Sequence, residues 1–117
     1  MCIRDRSEVI DVKAATMVHD FVITENYVIF LDLPMLWDME KFLQPGIPVS
    51  YDESYGARLG IMPRNGKSRD VKWVEIDPCY VYHTMNAYEF LDEIVFIAPK
   101  LVAVSYTHLT LPTIYTV

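Results

Sequence analysis

The stretch that most constrains the fold is Tyr27–Leu33, a short run rich in β-branched and aromatic side chains. Such side chains fit the pleated surface of a sheet, so the run predicts a buried strand. Pro34 follows directly, and proline cannot donate a hydrogen bond to a central ladder. We therefore expect the strand to end at this proline.

The residues upstream predict a partner for that strand. Within Val18–Ile23, an extended chain would place His19, Phe21 and Ile23 on one face. The polar segment Thr24–Asn26 follows, and its side chains favour a turn. The pattern predicts a β-hairpin that carries His19 on its first strand, on the same face as two large apolar side chains.

A second hairpin is predicted further along the chain. Ala57–Pro63 has the composition of a strand, and Val71–Ile76 alternates between its two faces. The polar loop Arg64–Asp70 between them contains Asn-Gly, which is a strong turn signal. Asp77-Pro78 then interrupts the pattern, so we expect the hairpin to end there.

The remaining segments are less regular. Met35–Leu43 could form one or two helical turns within a region rich in proline and glycine, and a long excursion between strands is typical of a functional or capping loop. We expect Cys79–His83 to be extended, Asn86–Asp92 to turn, and Ile94–Ala98 to form a final strand. Short strands joined by tight turns, with no long helix, predict an all-β fold.

Length and charge limit the possible functions. The chain has 117 residues, enough for one domain with a modest core, and it is 52% hydrophobic, which argues against disorder. A net charge of −6 argues against a nucleic-acid partner. Its two cysteines form no disulfide framework, and no apolar run approaches the ~20 residues that cross a bilayer. We therefore expect a cytoplasmic protein without evident membrane contact.

Both ends of the chain look foreign to the rest. Residues 1–7 and 104–117 resemble translated sequencing-adapter read-through, so we expect residues 8–103 to be the natural segment. The alternative is that residues 104–117 form a genuine, β-prone terminal strand. The distinction matters because His108 would otherwise compete as a metal ligand.

Two histidines are candidate ligands on chemistry alone. His19 and His83 each lie in an apolar or aromatic strand, where a histidine is more often bonded to a backbone carbonyl than to a metal. Cys79 and His83 have a Cys-x3-His spacing that could serve zinc, together with His19. A single pair of this kind is a weak signal, and Cys79 is better explained as a small buried hydrophobe.

Three carboxylates lie close to these histidines in sequence. Asp20 and Glu25 are near His19, and Glu89 is near His83. Carboxylates can accept the ring N–H of a metal-bound imidazole. Surface charges are the simpler interpretation of all three.

Three segments together resemble carotenoid cleavage oxygenases. Val18–Tyr27 is similar to the family signature His-Asp/Ser-Phe-x-hydrophobic-Thr-x-Asn-Tyr, and Trp73–Glu89 is similar to a second signature that ends His-x-x-Asn-Ala-Tyr-Glu. Tyr55–Arg64 resembles the strand between them. The matches follow the family's order and spacing and cover residues 17 to about 97, so the resemblance is specific.

The resemblance implies an iron enzyme built on a seven-bladed β-propeller. The family holds iron(II) on the propeller axis with four histidines, and His19 and His83 match the two in the middle of the chain order. Its outer-shell glutamates lie elsewhere in the chain. Asn86–Tyr88 would form the turn that fixes the His83 strand. The implied reaction cleaves a conjugated C=C bond of a carotenoid, apocarotenoid or stilbene with O2, giving two carbonyl products; membrane contact is possible for the parent protein.

The chain departs from the family in its length. Seven blades of ~40–50 residues need roughly 300 residues, so only about two blades are present. We therefore expect a fragment of a longer enzyme that is inactive by itself. The alternative is a small all-β binding module, a sandwich or partial barrel, in which both histidines are structural.

Overall fold

A computed structural model describes residues 6–101 and the backbone of residues 113–116. The described residues form short strands and three 3-10 turns but no α-helix, which confirms the predicted all-β class. The 3-10 turns cover Met39–Leu43, Glu53–Tyr55 and Ser68–Asp70. The strands are β1 (Phe21–Ile23), β2 (Tyr27–Asp32), β3 (Met35–Trp37), β4 (Val49–Tyr51), β5 (Ala57–Pro63), β6 (Lys72–Ile76), β7 (Asn86–Phe90), β8 (Glu93–Ala98) and β9 (Thr113–Thr116).

The largest sheet has four antiparallel strands in the order β1-β2-β5-β6. Both predicted hairpins are therefore confirmed, because β1 pairs with β2 and β5 pairs with β6. Between β2 and β5, the register places Ile29 opposite Ile61 and Leu31 opposite Leu59. A four-stranded antiparallel sheet is also the unit from which β-propellers are built.

The insertion between β2 and β5 corrects one prediction. Met35–Leu43 does not begin as helical turns, because Met35–Trp37 is a strand that pairs with β4. Backbone bonds from outside the segment fix this conformation: the Met17 amide donates to the Met35 carbonyl, and the Trp37 amide donates to the Ala15 carbonyl. Only Met39–Leu43 turns, and the Asp38 side chain caps it.

The third sheet, in the order β7-β8-β9, corrects a second prediction. Asn86–Asp92 is not a turn, since Asn86–Phe90 is a complete strand paired along β8. The turn itself is confined to Leu91 and Asp92. The asparagine and the polar residues of this segment suggested a turn locally, but the apolar strand β8 supplies a partner that extends them.

The core lies between the inward faces of β2 and β5 and the buried residues of β8 and of the segment before His83. Alternate residues along each strand face inward, as the two-residue period of a strand requires. The buried cluster consists of Ile29, Leu31, Leu33, Met35, Ala57, Leu59, Ile61, Tyr80, Val81, Ile94, Phe96 and Ala98.

A charged group is buried at the end of β2. The Asp32 side chain is only 2% exposed, yet it accepts hydrogen bonds from Arg58 Nε at 2.7 Å and from the Tyr55 hydroxyl at 2.8 Å. Burial and the Asp32 carboxylate raise the pKa of Tyr55. The Arg58 guanidinium also lies 3.7 Å above the Trp73 ring, so Asp32 organises contacts from β5 and β6.

Part of the chain falls outside what the structure describes. The backbone of Thr113–Thr116 pairs with β8, but His108 lies outside the described residues. The distinction between natural and foreign ends therefore stays a prediction. Among the described residues, none belongs to a helix with the length and apolar character needed to cross a membrane.

Replacing Asp32 with alanine should destabilise the chain strongly. The change leaves the largely buried Arg58 without its carboxylate, which costs about 3–5 kcal/mol. Tyr55→Phe removes one hydrogen bond and should cost about 1 kcal/mol. Urea unfolding of the 117-residue chain measures both. Equal effects of the two changes would show that Asp32 does not organise this region.

Relieving the strained turn at Leu91 should stabilise the chain. Leu91 has φ 54°, a left-handed conformation that costs a non-glycine residue about 1–2 kcal/mol, and its side chain is 87% exposed. Leu91→Gly should therefore raise the free energy of unfolding by about 1 kcal/mol. The matched change Leu43→Gly, at a 98% exposed side chain without a positive φ, should lower it. A gain at both sites, or at neither, would contradict the strain.

Stability should fall in alkaline solution because two buried acids resist ionisation. Burial raises the pKa of the Cys79 thiol from 9.0 to about 11 and that of Tyr80 from 10.0 to about 12. In the unfolded chain these two groups ionise at lower pH than in the folded chain. Their contribution to the free energy of unfolding is therefore complete below pH 9 and is lost as pH rises towards 12. Urea unfolding across this range should show the onset of loss move from near pH 9 to near pH 10 in Cys79→Ala. An unchanged onset would contradict the role of the thiol.

Candidate metal centre

His19 lies two residues before the first strand rather than within it. β1 begins at Phe21, so the prediction that placed His19 on that strand is wrong by two residues. The expected apolar face is also reversed: Phe21 and Ile23 are 58% and 53% exposed, whereas Val22 packs against the core. The His19 ring is therefore exposed at the sheet's edge rather than buried among hydrophobes.

Among residues 6–101, one hydrogen bond orients the His19 ring. Its Nδ1 lies 3.0 Å from the backbone carbonyl oxygen of Tyr82, so Nδ1 carries the proton and donates it. The other ring nitrogen, Nε2, then has a free lone pair. A metal-binding imidazole commonly has this arrangement, in which one nitrogen donates to a carbonyl and the other binds the ion.

His83 lies beside His19 although the two are 64 positions apart in the sequence. The ring centroids are 4.9 Å apart and the ring planes are nearly perpendicular, at 88°. Among the described residues, neither nitrogen of His83 has a hydrogen-bond partner. The pair is thus brought together as the predicted metal site requires, and both rings are accessible.

The residues before His83 anchor its segment to the core. Tyr80 is 2% exposed, and its hydroxyl donates to the Met17 carbonyl at 3.0 Å. Its backbone forms a two-way bridge with Leu101. His83 therefore extends from a rigid point, and the Tyr80 hydroxyl ties that point to the segment that carries His19.

Two of the three nearby carboxylates are structural rather than simple surface charges. Asp20 accepts from the backbone amide and hydroxyl of Thr84, and these bonds lower the pKa of its carboxyl group. Glu89 accepts from the Thr24 hydroxyl and from two nitrogens of Asn26, which lowers its pKa likewise. Glu25 is exposed, as a surface charge would be.

The residue types fit a divalent metal, but the described chain supplies only part of a site. Imidazole nitrogens bind first-row metals at about 2.1 Å, so rings this close can share one ion. Among residues 6–101, no group of three or more His, Cys, Asp or Glu side chains could hold a metal. The zinc alternative is wrong for these residues, since the buried Cys79 forms no such group with His83 and His19.

Sequence reasoning missed the residues that hold the two histidine segments together. Thr84, Thr24 and Asn26 donate to the carboxylates, and the Tyr82 carbonyl receives the His19 proton. The partners are separated by 63 to 65 positions in every case. This nearly constant offset is the only sequence signal that relates the partners. It cannot be used to predict the contacts until the two segments are known to lie side by side.

The chain is similar in sequence to proteins of one family. The family model for RPE65, retinal pigment epithelial membrane protein, matches residues 3–114. A carotenoid 9,10(9',10')-cleavage dioxygenase from Crocus sativus is 39% identical over 94 residues, covering 79% of this chain and 17% of that protein. A carotenoid cleavage oxygenase from Mycobacterium tuberculosis is 32% identical over 118 residues, covering 68% and 24%.

Solved structures show the same fold. The lignostilbene dioxygenase of Pseudomonas brassicacearum has a TM-score of 0.67 and 29% identity, and the match covers 78% of this chain and 19% of that one. A cobalt-substituted Synechocystis ACO has a TM-score of 0.64 and 22% identity, covering 86% and 24%. The chain thus has part of the propeller fold of these oxygenases and spans less than a quarter of the length of each relative named here. Because the family model matches most of its residues, the chain belongs to the RPE65 family of carotenoid cleavage oxygenases.

Proposed function

We propose that this chain is a segment of an iron(II) dioxygenase in which His19 and His83 supply two of the metal ligands. The parent enzyme would cleave a conjugated C=C bond of a carotenoid, apocarotenoid or stilbene with O2 to give two carbonyl products. The observation that carries the proposal is the juxtaposition of two exposed imidazoles, with centroids 4.9 Å apart.

The chemistry of the pair supports iron(II). Neutral imidazole is a suitable ligand for iron and adds no charge, so an iron bound by histidines retains its positive charge for activating dioxygen. The His19 ring is held in the required tautomer by its bond to the Tyr82 carbonyl. The protein's own contribution here is orientation: it fixes one ring and leaves the other without a competing hydrogen bond.

The lengths of the relatives and an exposed apolar groove both support the proposal of a longer parent protein. The matches cover only 17% and 24% of two relatives, so each relative is several times as long as this chain. An open groove of about 610 Å³ lies against one face of the main sheet, with Val18, Phe21, Val28 and Phe30 in its lining. A longer protein would cover such an apolar face.

The names of the relatives support the substrate class. They act on carotenoids or lignostilbene, which are both conjugated and largely apolar. An apolar site that excludes water would position such a substrate beside the metal. Which bond is cleaved depends on parts of the enzyme outside this chain.

The alternative of a binding module with structural histidines has one observation in its favour. The bond from His19 to the Tyr82 carbonyl is the kind that a structural histidine makes. Both rings are exposed, however, and His83 makes no hydrogen bond among the described residues. A purely structural role leaves this arrangement without a reason.

Removing either imidazole should abolish metal binding in the full-length parent. His19→Ala and His83→Ala should each lose stoichiometric iron and alkene cleavage, because each removes one ligand. Arg69→Ala, at an exposed residue of the Ser68–Asp70 turn, is the matched control and should retain both. Metal analysis and product chromatography measure the outcome. Full iron content and turnover in either histidine variant would favour the binding module.

A further inference from the structure

Hydrogen bonds next to the two histidines connect the segment that carries His19 (residues 17–26) to the segment that carries His83 (residues 80–89). Asp20 follows His19 directly, and Thr84 follows His83 directly. One oxygen of Asp20 accepts from the Thr84 amide at 2.8 Å and from the Thr84 hydroxyl at 2.7 Å. The other oxygen accepts from the Phe21 amide at 2.9 Å.

We propose that Asp20 is a positioning residue for the metal-binding pair, holding the His83 backbone at a fixed distance from His19. The inference rests on the proposed function of the two histidines as ligands. Asp20 itself makes no contact with the metal in this account. It acts through Thr84 and therefore through the backbone that carries His83.

The connectivity gives the proposal its physical basis. His83 is held on both sides: the Tyr82 carbonyl before it receives the His19 Nδ1 proton, and Thr84 after it donates twice to Asp20. The contacts therefore close a loop through His19, Tyr82, His83, Thr84 and Asp20. Among the described residues, neither nitrogen of the His83 ring has a hydrogen bond, and this ring is the group that would bind the metal.

A carboxylate is suited to this place because three donors converge on it. Both of its oxygens accept, and bonds to an ionised acceptor are stronger than neutral ones. Asparagine has the same shape but only one accepting oxygen, so its amide nitrogen would face either the Phe21 or the Thr84 donors. The asparagine change therefore tests the charge together with the second accepting oxygen, and the alanine change tests the whole side chain.

A second carboxylate contact lies further along the same two segments. Glu89, in β7, accepts from the Thr24 hydroxyl and from the backbone and side-chain nitrogens of Asn26. These contacts hold the β1–β2 turn against β7 whether or not Asp20 is present. Loss of Asp20 should therefore loosen the histidine pair without separating the segments.

The chain offers a matched control for Asp20. Asp38 accepts two bonds of the same kinds, one from the Glu40 backbone amide and one from the Ser50 hydroxyl, and the pKa of its carboxyl group is likewise lowered. It caps the Met39–Leu43 turn beside the β3–β4 hairpin, and among the described residues its side chain has no hydrogen bond with either histidine segment. Its removal costs the same kinds of bond without touching the proposed ligands.

The test compares cobalt(II) binding by the full-length protein that carries this segment with binding by its variants. Asp20→Ala should weaken cobalt affinity by about 10- to 100-fold, as loss of an outer contact typically does. Asp20→Asn and Thr84→Val should weaken it less, and Asp38→Ala should leave it unchanged. Nitrogen NMR of the His19 ring provides a readout that does not depend on the metal. Asp20→Ala should lose the fixed Nδ1–H tautomer, whereas the unaltered protein and the other three variants should keep it.

The outcomes separate this inference from the function on which it rests. If the parent protein binds cobalt and Asp20→Ala binds it equally well, the positioning role is overturned and the ligand assignment stands. If the parent protein binds no cobalt, the ligand assignment fails, and the NMR readout alone decides whether Asp20 positions the pair. If Asp20→Ala does not fold, Asp20→Asn and Thr84→Val are compared instead, and unchanged cobalt affinity in both variants overturns the role.

Discussion

The fold around the proposed site depends on how two segments, residues 17–26 and 80–89, lie against each other. Each is short, and neither could hold a histidine in place by itself. Their contacts are polar and occur at a nearly constant offset along the chain, from the Tyr80 hydroxyl on the Met17 carbonyl to Glu89 on Asn26. Burial of Tyr80 fixes one end of this alignment in the core, and the carboxylates extend it to the edge where the imidazoles meet.

In this arrangement, apolar packing sets the positions of the sheets and hydrogen bonds set the orientation of the histidine rings. The buried faces of β2, β5 and β8 set where the four-stranded sheet lies against the sheet that contains β7 and β8, because apolar burial is the main favourable term in folding. Burial has no direction, however, and cannot by itself orient a ring. The directed bonds to the Tyr82 carbonyl and to Asp20 supply that orientation at an exposed site, where a metal and its substrate could reach it.

The sequence predicts the fold where local pattern and tertiary pairing agree. Ala57–Pro63 was predicted with its observed ends because its strand composition and the following Asn-Gly turn are both local signals. Met35–Trp37 was missed because its strand partner, β4, lies outside the segment. Asn86–Phe90 was missed although its partner β8 follows directly after Leu91 and Asp92, because the polar residues of the segment suggested a longer turn. The histidines were identified by resemblance rather than by spacing, and Thr84 was missed because no local pattern connects it with Asp20.

The central claim is that His19 and His83 bind one metal ion, and anomalous X-ray diffraction from crystals of the metal-loaded full-length protein tests it most directly. The account predicts a single metal peak within about 2.2 Å of His19 Nε2 and of one nitrogen of His83, with His19 Nδ1 still bonded to the Tyr82 carbonyl. A metal bound elsewhere, or bound at His19 through Nδ1 with the Tyr82 bond broken, would contradict it.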